Sequence, residues 1–171
     1  MVNVLIVGHS QTPRINSYGD VNITWIKRPS ACIEDLEGID RLYDQWDIVI
    51  LFIGGNDLCF NEPRTVADDI INLVGNLNCS MKVYVTLVET RWYDEERGRK
   101  YNTTTEEYNN RARACSNLLT RHARRTKQFR TIRCPPSYNN NSPEGIHFDE
   151  VAKASLFSKY KNAIPRASDN N

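Results

Sequence analysis

The chain has 171 residues, 40% hydrophobic and 25% charged, and its 22 lysines and arginines against 21 aspartates and glutamates leave a formal net charge of +1. That length and apolar content suit one domain with a buried core, which excludes an intrinsically disordered chain, and no apolar run approaches the roughly 18 residues needed to cross a bilayer. The near-neutral total would by itself exclude a dedicated nucleic-acid binder, but a sum hides how charge is distributed.

Met1 to Val7 is apolar yet lacks a basic leader and a small-residue cleavage pattern, so Val2 to Val7 reads as a strand and not as a signal peptide. The polar stretch Gly8 to Asp20 is irregular or holds a short helix. A second strand spans Val21 to Ile26. After it Ile33, Leu36, Ile39, Tyr43 and Trp46 recur every three to four residues, which predicts a helix. Asp47 to Ile53 is the third strand, followed by a helix with Val66, Ile70, Leu73, Val74 and Leu77 inward and Pro63 in its first turn. Lys82 to Val88 is the fourth. A helix then carries Tyr108, Ala112, Cys115, Leu119 and Ala123 on one face, entered through Thr103 or Thr104 with Glu106 or Glu107 at capping-box spacing. Gln128 to Arg133 is the fifth strand. A last helix starts near Asp149, turns Val151, Ala154, Phe157 and Ile164 inward and is stopped by Pro165. The expected domain covers residues 1–166, with 167–171 a disordered tail.

Strands alternating with helices imply a mainly parallel sheet covered on both faces, and the uninterrupted apolar runs Val-Leu-Ile-Val and Ile-Val-Ile-Leu-Phe-Ile suit its central strands. Ligands of such sheets bind beyond the carboxyl ends of the strands. Strand one ends in Gly8-His9-Ser10-Gln11-Thr12, strand three in Gly54-Gly55-Asn56-Asp57, and strand five leads to Pro143-Glu144-Gly145-Ile146-His147-Phe148-Asp149. A serine, an asparagine, a carboxylate and a histidine therefore meet on one rim.

Five cysteines, Cys32, Cys59, Cys79, Cys115 and Cys134, form an odd set with no C-x-x-C spacing, neither a disulfide framework nor a zinc site. They point to a reducing intracellular compartment, the cytoplasm. The N-x-S/T sequons at Asn22, Asn78, Asn102 and Asn140 are what an asparagine-rich chain makes by chance.

These blocks resemble those of the SGNH (GDSL-like) hydrolase superfamily: a serine near the amino terminus, a G-x-N-D block after the third strand and a D-x-x-H block near the carboxyl terminus. The resemblance implies an α/β fold, a three-layer flavodoxin-like sandwich with a five-stranded parallel sheet in the order 2-1-3-4-5. It also implies a serine esterase acting on acetyl or short acyl esters without metal or organic cofactor. Ser10 would be the nucleophile and His147 the base that takes its proton, with Glu144 holding the imidazole. Asn56 and the backbone N–H groups of Ser10 and Ser30 would form the oxyanion hole, where losing one donor typically costs about 2.7 to 4 kcal/mol. Gly55, Trp92 and Tyr93 are substrate-binding candidates.

Three positions depart from the family pattern. His9 stands where the first block has Asp, Glu144 where the last has Asp, and Ser30 where a glycine follows the second strand. A positive φ at Ser30 would cost roughly 1 kcal/mol or more. Asp149 is an alternative partner for His147 and also a helix cap. His9, next to Ser10 on an extended turn, should point away from it. Taken singly, Ser10 reads as a turn residue, Asn56 as a cap, Asp57 as a loop organiser, His122 as surface, and Cys59 and Cys134 as small apolar fillers.

Charge is strongly asymmetric. Arg111 to Arg133 contains eight basic residues and no acidic one. Arg113, Arg121, Arg124 and Arg125 fall outside the buried stripe of their helix, as a solvated face or as a surface for nucleic acid or acidic membrane. The long segment Glu89 to Asn102, with its arginines and aromatics, is a substrate lid or a charged insertion. Within the superfamily the chain also resembles the esterase domains of first-open-reading-frame proteins of LINE retrotransposons, which are intracellular and accompany nucleic-acid binding. Two functions therefore stand: an esterase, or a weak or inactive module that binds RNA or acidic membrane through its basic helix.

Overall fold

A computed structural model describes residues 1–36, 45–77, 80–135 and 147–164. Strands β1 (Val2–Gly8), β2 (Val21–Lys27), β3 (Ile48–Phe52), β4 (Lys82–Thr86) and β5 (Arg130–Ile132) form one parallel sheet in the order β2-β1-β3-β4-β5, the order expected. β3 lies at the centre with all five residues buried, as an unbroken apolar run requires.

Because side chains alternate along a strand, each face of the sheet has its own core. Leu5, Val7, Val49, Leu51, Val83 and Val85 face helices α1 (Pro63–Gly75) and α3 (Thr105–Thr126). Val4, Ile6, Ile48, Ile50, Phe52 and Tyr84 face α4 (Glu150–Ala163). Three layers result. α3 buries the stripe read from its sequence, and its entry is a complete capping box: Thr104 Oγ1 accepts from Glu107 N at 3.1 Å while Glu107 Oε2 accepts from Thr104 N at 2.8 Å. Pro63 opens α1, where its missing N–H is harmless.

Four expectations change. β4 and β5 are shorter than their apolar runs, because pairing ends at Thr86 with Ile132. The described part of the segment after β2 includes a 3-10 turn, Ile33–Leu36, with both named residues buried as read; Ile39 and Tyr43 lie outside the described residues. Within the segment after β4 is a helix, α2 (Glu95–Tyr101), because Asp94 caps it by accepting from Arg97 N at 2.8 Å. Glu95 and Glu96 at its start and Arg99 and Lys100 at its end complement its dipole. Finally, α4 turns a different face inward. Ala152, Leu156 and Tyr160 are buried and Val151 is 69% exposed, so the stripe is displaced by about one residue, and only Ile164 of the expected set is fully buried. Tyr160 holds that rotation: its hydroxyl is 2.8 Å from Thr86 Oγ1 under the sheet. The connection Gly8 to Asp20 contains no helix. Residues 165–171, including the expected tail, lie outside the described set, and no helix among the described residues is long and apolar enough to cross a membrane.

Candidate active site

β1 ends in a tight turn in which His9 N donates to Phe52 O at 3.3 Å and Thr12 N to His9 O at 3.1 Å. Neighbouring side chains at such a turn diverge. His9 is driven into the protein, fully buried against the Phe52 ring, while Ser10 is half-buried at the rim. Ser10 Oγ lies 3.2 Å from His147 Nε2. A second bond fastens the same two segments: Phe148 N donates to Gln11 Oε1 at 2.7 Å, with the Phe148 ring stacked on Phe52. Asp149 caps α4, its Oδ1 accepting from Ala152 N at 2.7 Å, so the cap reading describes it. Glu144 lies outside the described residues.

β3 ends in the glycine pair. Gly54 has φ +102°, a conformation that L side chains rarely adopt. A Cβ on Gly55 would sit 2.5 Å from Glu89 Oε1 and 2.6 Å from Arg91 Nη2, so only glycine lets these charged groups approach the turn. Gly55 O accepts from the buried Tyr108 hydroxyl at 3.1 Å. The next two residues lace this turn to the loop after β2. Asn56 Nδ2 donates to Ala31 O at 2.9 Å, and Asp57 Oδ1 accepts from Ile33 N at 3.0 Å. Burial raises the Asp57 carboxyl above its ordinary pKa despite that backbone bond. Asp57 thus organises the loop, and Asn56 makes no side-chain cap to the 3-10 turn Asp57–Cys59.

Ser30 stands at the surface of the facing loop with φ +61°, the conformation that a glycine would take without strain. Its backbone N–H is retained. Trp92 is 45% exposed, but Tyr93 is a core residue: 6% exposed, packed edge-on against Tyr101 and Tyr108, with its hydroxyl 3.5 Å from Cys59 Sγ. Burial pushes that hydroxyl well above its ordinary pKa, so position 93 does not offer the surface side chain expected of it. Cys59 is a buried free thiol and Cys134 a partly buried one. His122 bonds Gln128 Oε1 through Nε2 at 2.9 Å and stacks on Phe129. The exposed Arg113, Arg121, Arg124 and Arg125 line a groove along α3 whose lining includes neither Ser10, Asn56 nor His147. Among the described residues no group of three or more His, Cys, Asp or Glu is placed to share a metal ion.

Behind the rim lies a charged network that sequence reasoning missed. Glu89 is fully buried and Arg91 is 4% exposed; Arg91 Nε donates to Glu89 Oε1 at 2.8 Å and Nη2 reaches the same oxygen at 2.5 Å. Nη2 also donates to Asn56 Oδ1 at 3.1 Å. Asn109 holds the Arg91 backbone from both sides, accepting from its N at 2.8 Å and donating to its O at 2.9 Å. His9 closes the network with Nε2 3.5 Å from Glu89 Oε2, while His9 Nδ1 accepts from Gln11 N at 3.3 Å. An accepting Nδ1 puts the ring proton on Nε2, facing the carboxylate. Burial alone would raise the Glu89 pKa; the Arg91 charge and His9 outweigh it and hold the carboxyl at about 2. The only sequence signal was an E-x-R step at the end of a strand, where charged residues are ordinarily solvated.

No family model matches the sequence, and no curated protein does. Solved structures do resemble it. A carbohydrate acetylesterase from Sinorhizobium meliloti superposes with a TM-score of 0.74 over 95% of this chain and 99% of its own, at 17% identity. The aryl esterase of M. smegmatis gives 0.74 over 95% of this chain and 98% of its own, at 15% identity. A lipase/acylhydrolase from Enterococcus faecalis gives 0.69 over 96% and 95%, at 17% identity. At such identities the likeness establishes a shared fold that spans nearly the whole of each chain.

Proposed function

We propose that this chain is a carboxylic ester hydrolase with Ser10 as nucleophile. The observation that carries the reading is the 3.2 Å separation of Ser10 Oγ and His147 Nε2, within reach for proton transfer on the rim where parallel sheets bind ligands. Ser10 Oγ attacks the ester carbonyl as its proton passes to His147 Nε2. The tetrahedral intermediate collapses, the alkoxide leaves with that proton, and the acyl group remains on Ser10. Water, deprotonated by His147, then releases the acid and regenerates the serine. Glu144, by its place in the block, orients the imidazole.

The oxyanion donors in this reading are the Ser10 and Ser30 N–H groups and the second proton of Asn56 Nδ2, whose first is given to Ala31 O. Acetyl and other short acyl esters are the proposed substrates, supported by solved acetylesterase and aryl esterase structures of the same fold. The likeness to the LINE domains rests on the sequence blocks alone. The test is hydrolysis of p-nitrophenyl acetate by the wild type and by Ser10→Ala and His147→Ala. Each variant is expected to lose about 10⁴-fold or more in kcat. Equal rates in wild type and Ser10→Ala would leave the fold as a non-catalytic module.

A further inference from the structure

We propose that the edge of the sheet beyond β5 is a binding groove for single-stranded nucleic acid, held through its phosphate backbone. Two adjoining concavities run along this edge. One, of about 890 Å³, is lined by Arg113, Arg121, Arg124, Arg125 and Arg133 together with Ser116, Asn117 and Thr120. The other, of about 800 Å³, shares Thr120, Arg124 and Arg133 with the first and adds Lys127 and Arg130. Seven cations thus line two adjoining concavities, and no Asp or Glu is among the described residues that line them.

All seven are exposed, and none forms an ion pair with a carboxylate among the described residues. Solvated helix faces ordinarily interleave both signs at spacings of three and four. Here Glu107 of α3 is followed by no acid up to Arg133, so the positive potential goes uncancelled along this edge. Six of the seven are arginines, whose planar forks match phosphate oxygens in pairs, and the hydroxyl and amide groups between them suit sugar and phosphate contacts.

Shape selects among polyanions. From Arg113 to Arg125 the helix rises about 18 Å. Spread over that length, the first concavity has a mean cross-section of about 50 Å², which suits a single sugar-phosphate strand. A planar acidic membrane is favoured by a convex or flat face with apolar side chains to insert. The exposed large apolar residues Met1, Phe60, Trp92 and Val151 all lie outside this lining. Among the described lining residues the one aromatic side chain, Phe129, is buried and offers no face for base stacking, so recognition is of backbone and without sequence preference.

The test uses the full chain and a fluorescein-labelled oligouridylate of about 12 nucleotides, read by anisotropy across a salt series. A duplex DNA of equal length and vesicles of phosphatidylserine and phosphatidylcholine are parallel arms. The expected result is binding of the oligouridylate that weakens steeply with salt and exceeds binding of the other two. The R121Q/R124Q/R125Q variant should bind at least about tenfold more weakly, with the slope of log K against log salt shallower by about 2. An unchanged thermal melt shows that the variant is folded; were it to fail to fold, R130Q/R133Q would be read the same way, with a slope change of about 1. An unaltered affinity and slope, or tighter binding to vesicles or duplex, would overturn the proposal. Neither arm depends on ester hydrolysis.

Discussion

Arg91 Nη2 donates to Asn56 Oδ1 at 3.1 Å from a guanidinium that is itself almost wholly buried. Arginine has only donors and the Ala31 carbonyl only accepts, so the two neighbours together dictate which end of the Asn56 amide is oxygen and which is nitrogen. A positive charge on the oxygen side also polarises the amide and strengthens Nδ2–H as a donor.

If Asn56 serves the oxyanion, Arg91 is its positioning residue. Arg91→Lys keeps the charge opposite Glu89 but loses the fork that reaches both Glu89 and Asn56. The expected outcome on p-nitrophenyl acetate is a fall of about tenfold or more in kcat with KM little changed. A loss of thermal stability with kcat intact would instead make Arg91 purely structural.

Glu89 predicts acid sensitivity. Its carboxyl sits at about 2 in the fold against an ordinary value of 4.5. A depressed folded pKa contributes stability that is fully present above pH 4.5 and is lost as pH falls toward 2, here on the order of 3 kcal/mol. Urea unfolding followed from pH 6 to pH 2.5 should show that decline, with the steepest part below pH 4.5. Glu89→Gln should flatten the same window, at the expense of leaving a guanidinium unpaired at every pH.

The surroundings of position 9 favour histidine over the aspartate that the sequence resemblance would put there. An aspartate there would set a second buried carboxylate against Glu89, which His9 Nε2 faces at 3.5 Å. His9→Asp should therefore destabilise by about 3 kcal/mol or more, and clearly more than His9→Asn, when both are compared by urea denaturation at neutral pH. Equal losses would mean that packing against Phe52 outweighs charge.

Ser30 carries strain that a glycine would release. With φ at +61°, Ser30→Gly should stabilise by up to about 1 kcal/mol, seen as a rise of a few degrees in Tm. Ser30→Val, β-branched in the same conformation, should lower Tm. An unchanged Tm in both would place the loop outside the cooperative fold.

Much of the architecture was legible because its signals are local. The continuous apolar runs of β1 and β3, the α3 stripe and the Thr104–Glu107 box each arise from contacts within a few residues. The α4 face was misread because its rotation is decided by a polar contact, Tyr160 to Thr86, that hydrophobic spacing does not encode. α2 was missed because it buries nothing, and its evidence is charge order and an Asp cap, not periodicity. At the site, Ser10 and His147 were readable as blocks at strand ends, and the structure sets them side by side. Glu89, Arg91 and His9 were not, since a buried charge is recognised only by its surroundings, and His9 and Asn56 reach the Glu89–Arg91 pair from beyond the ends of other strands. Tyr93 misled for the opposite reason: an aromatic on a polar segment looked like a surface feature and is core.

The bond between Phe148 N and Gln11 Oε1 joins positions 137 apart in sequence. Contacts that distant form late, since the chain between them must first be ordered. During synthesis, then, the segment bearing Ser10 emerges early and waits while most of the sheet assembles. Its histidine arrives only when the last helix is threaded into place. If Ser10 is the nucleophile proposed above, its reactivity would mark completion of folding rather than its onset, and a stalled or truncated chain would carry it chemically mute.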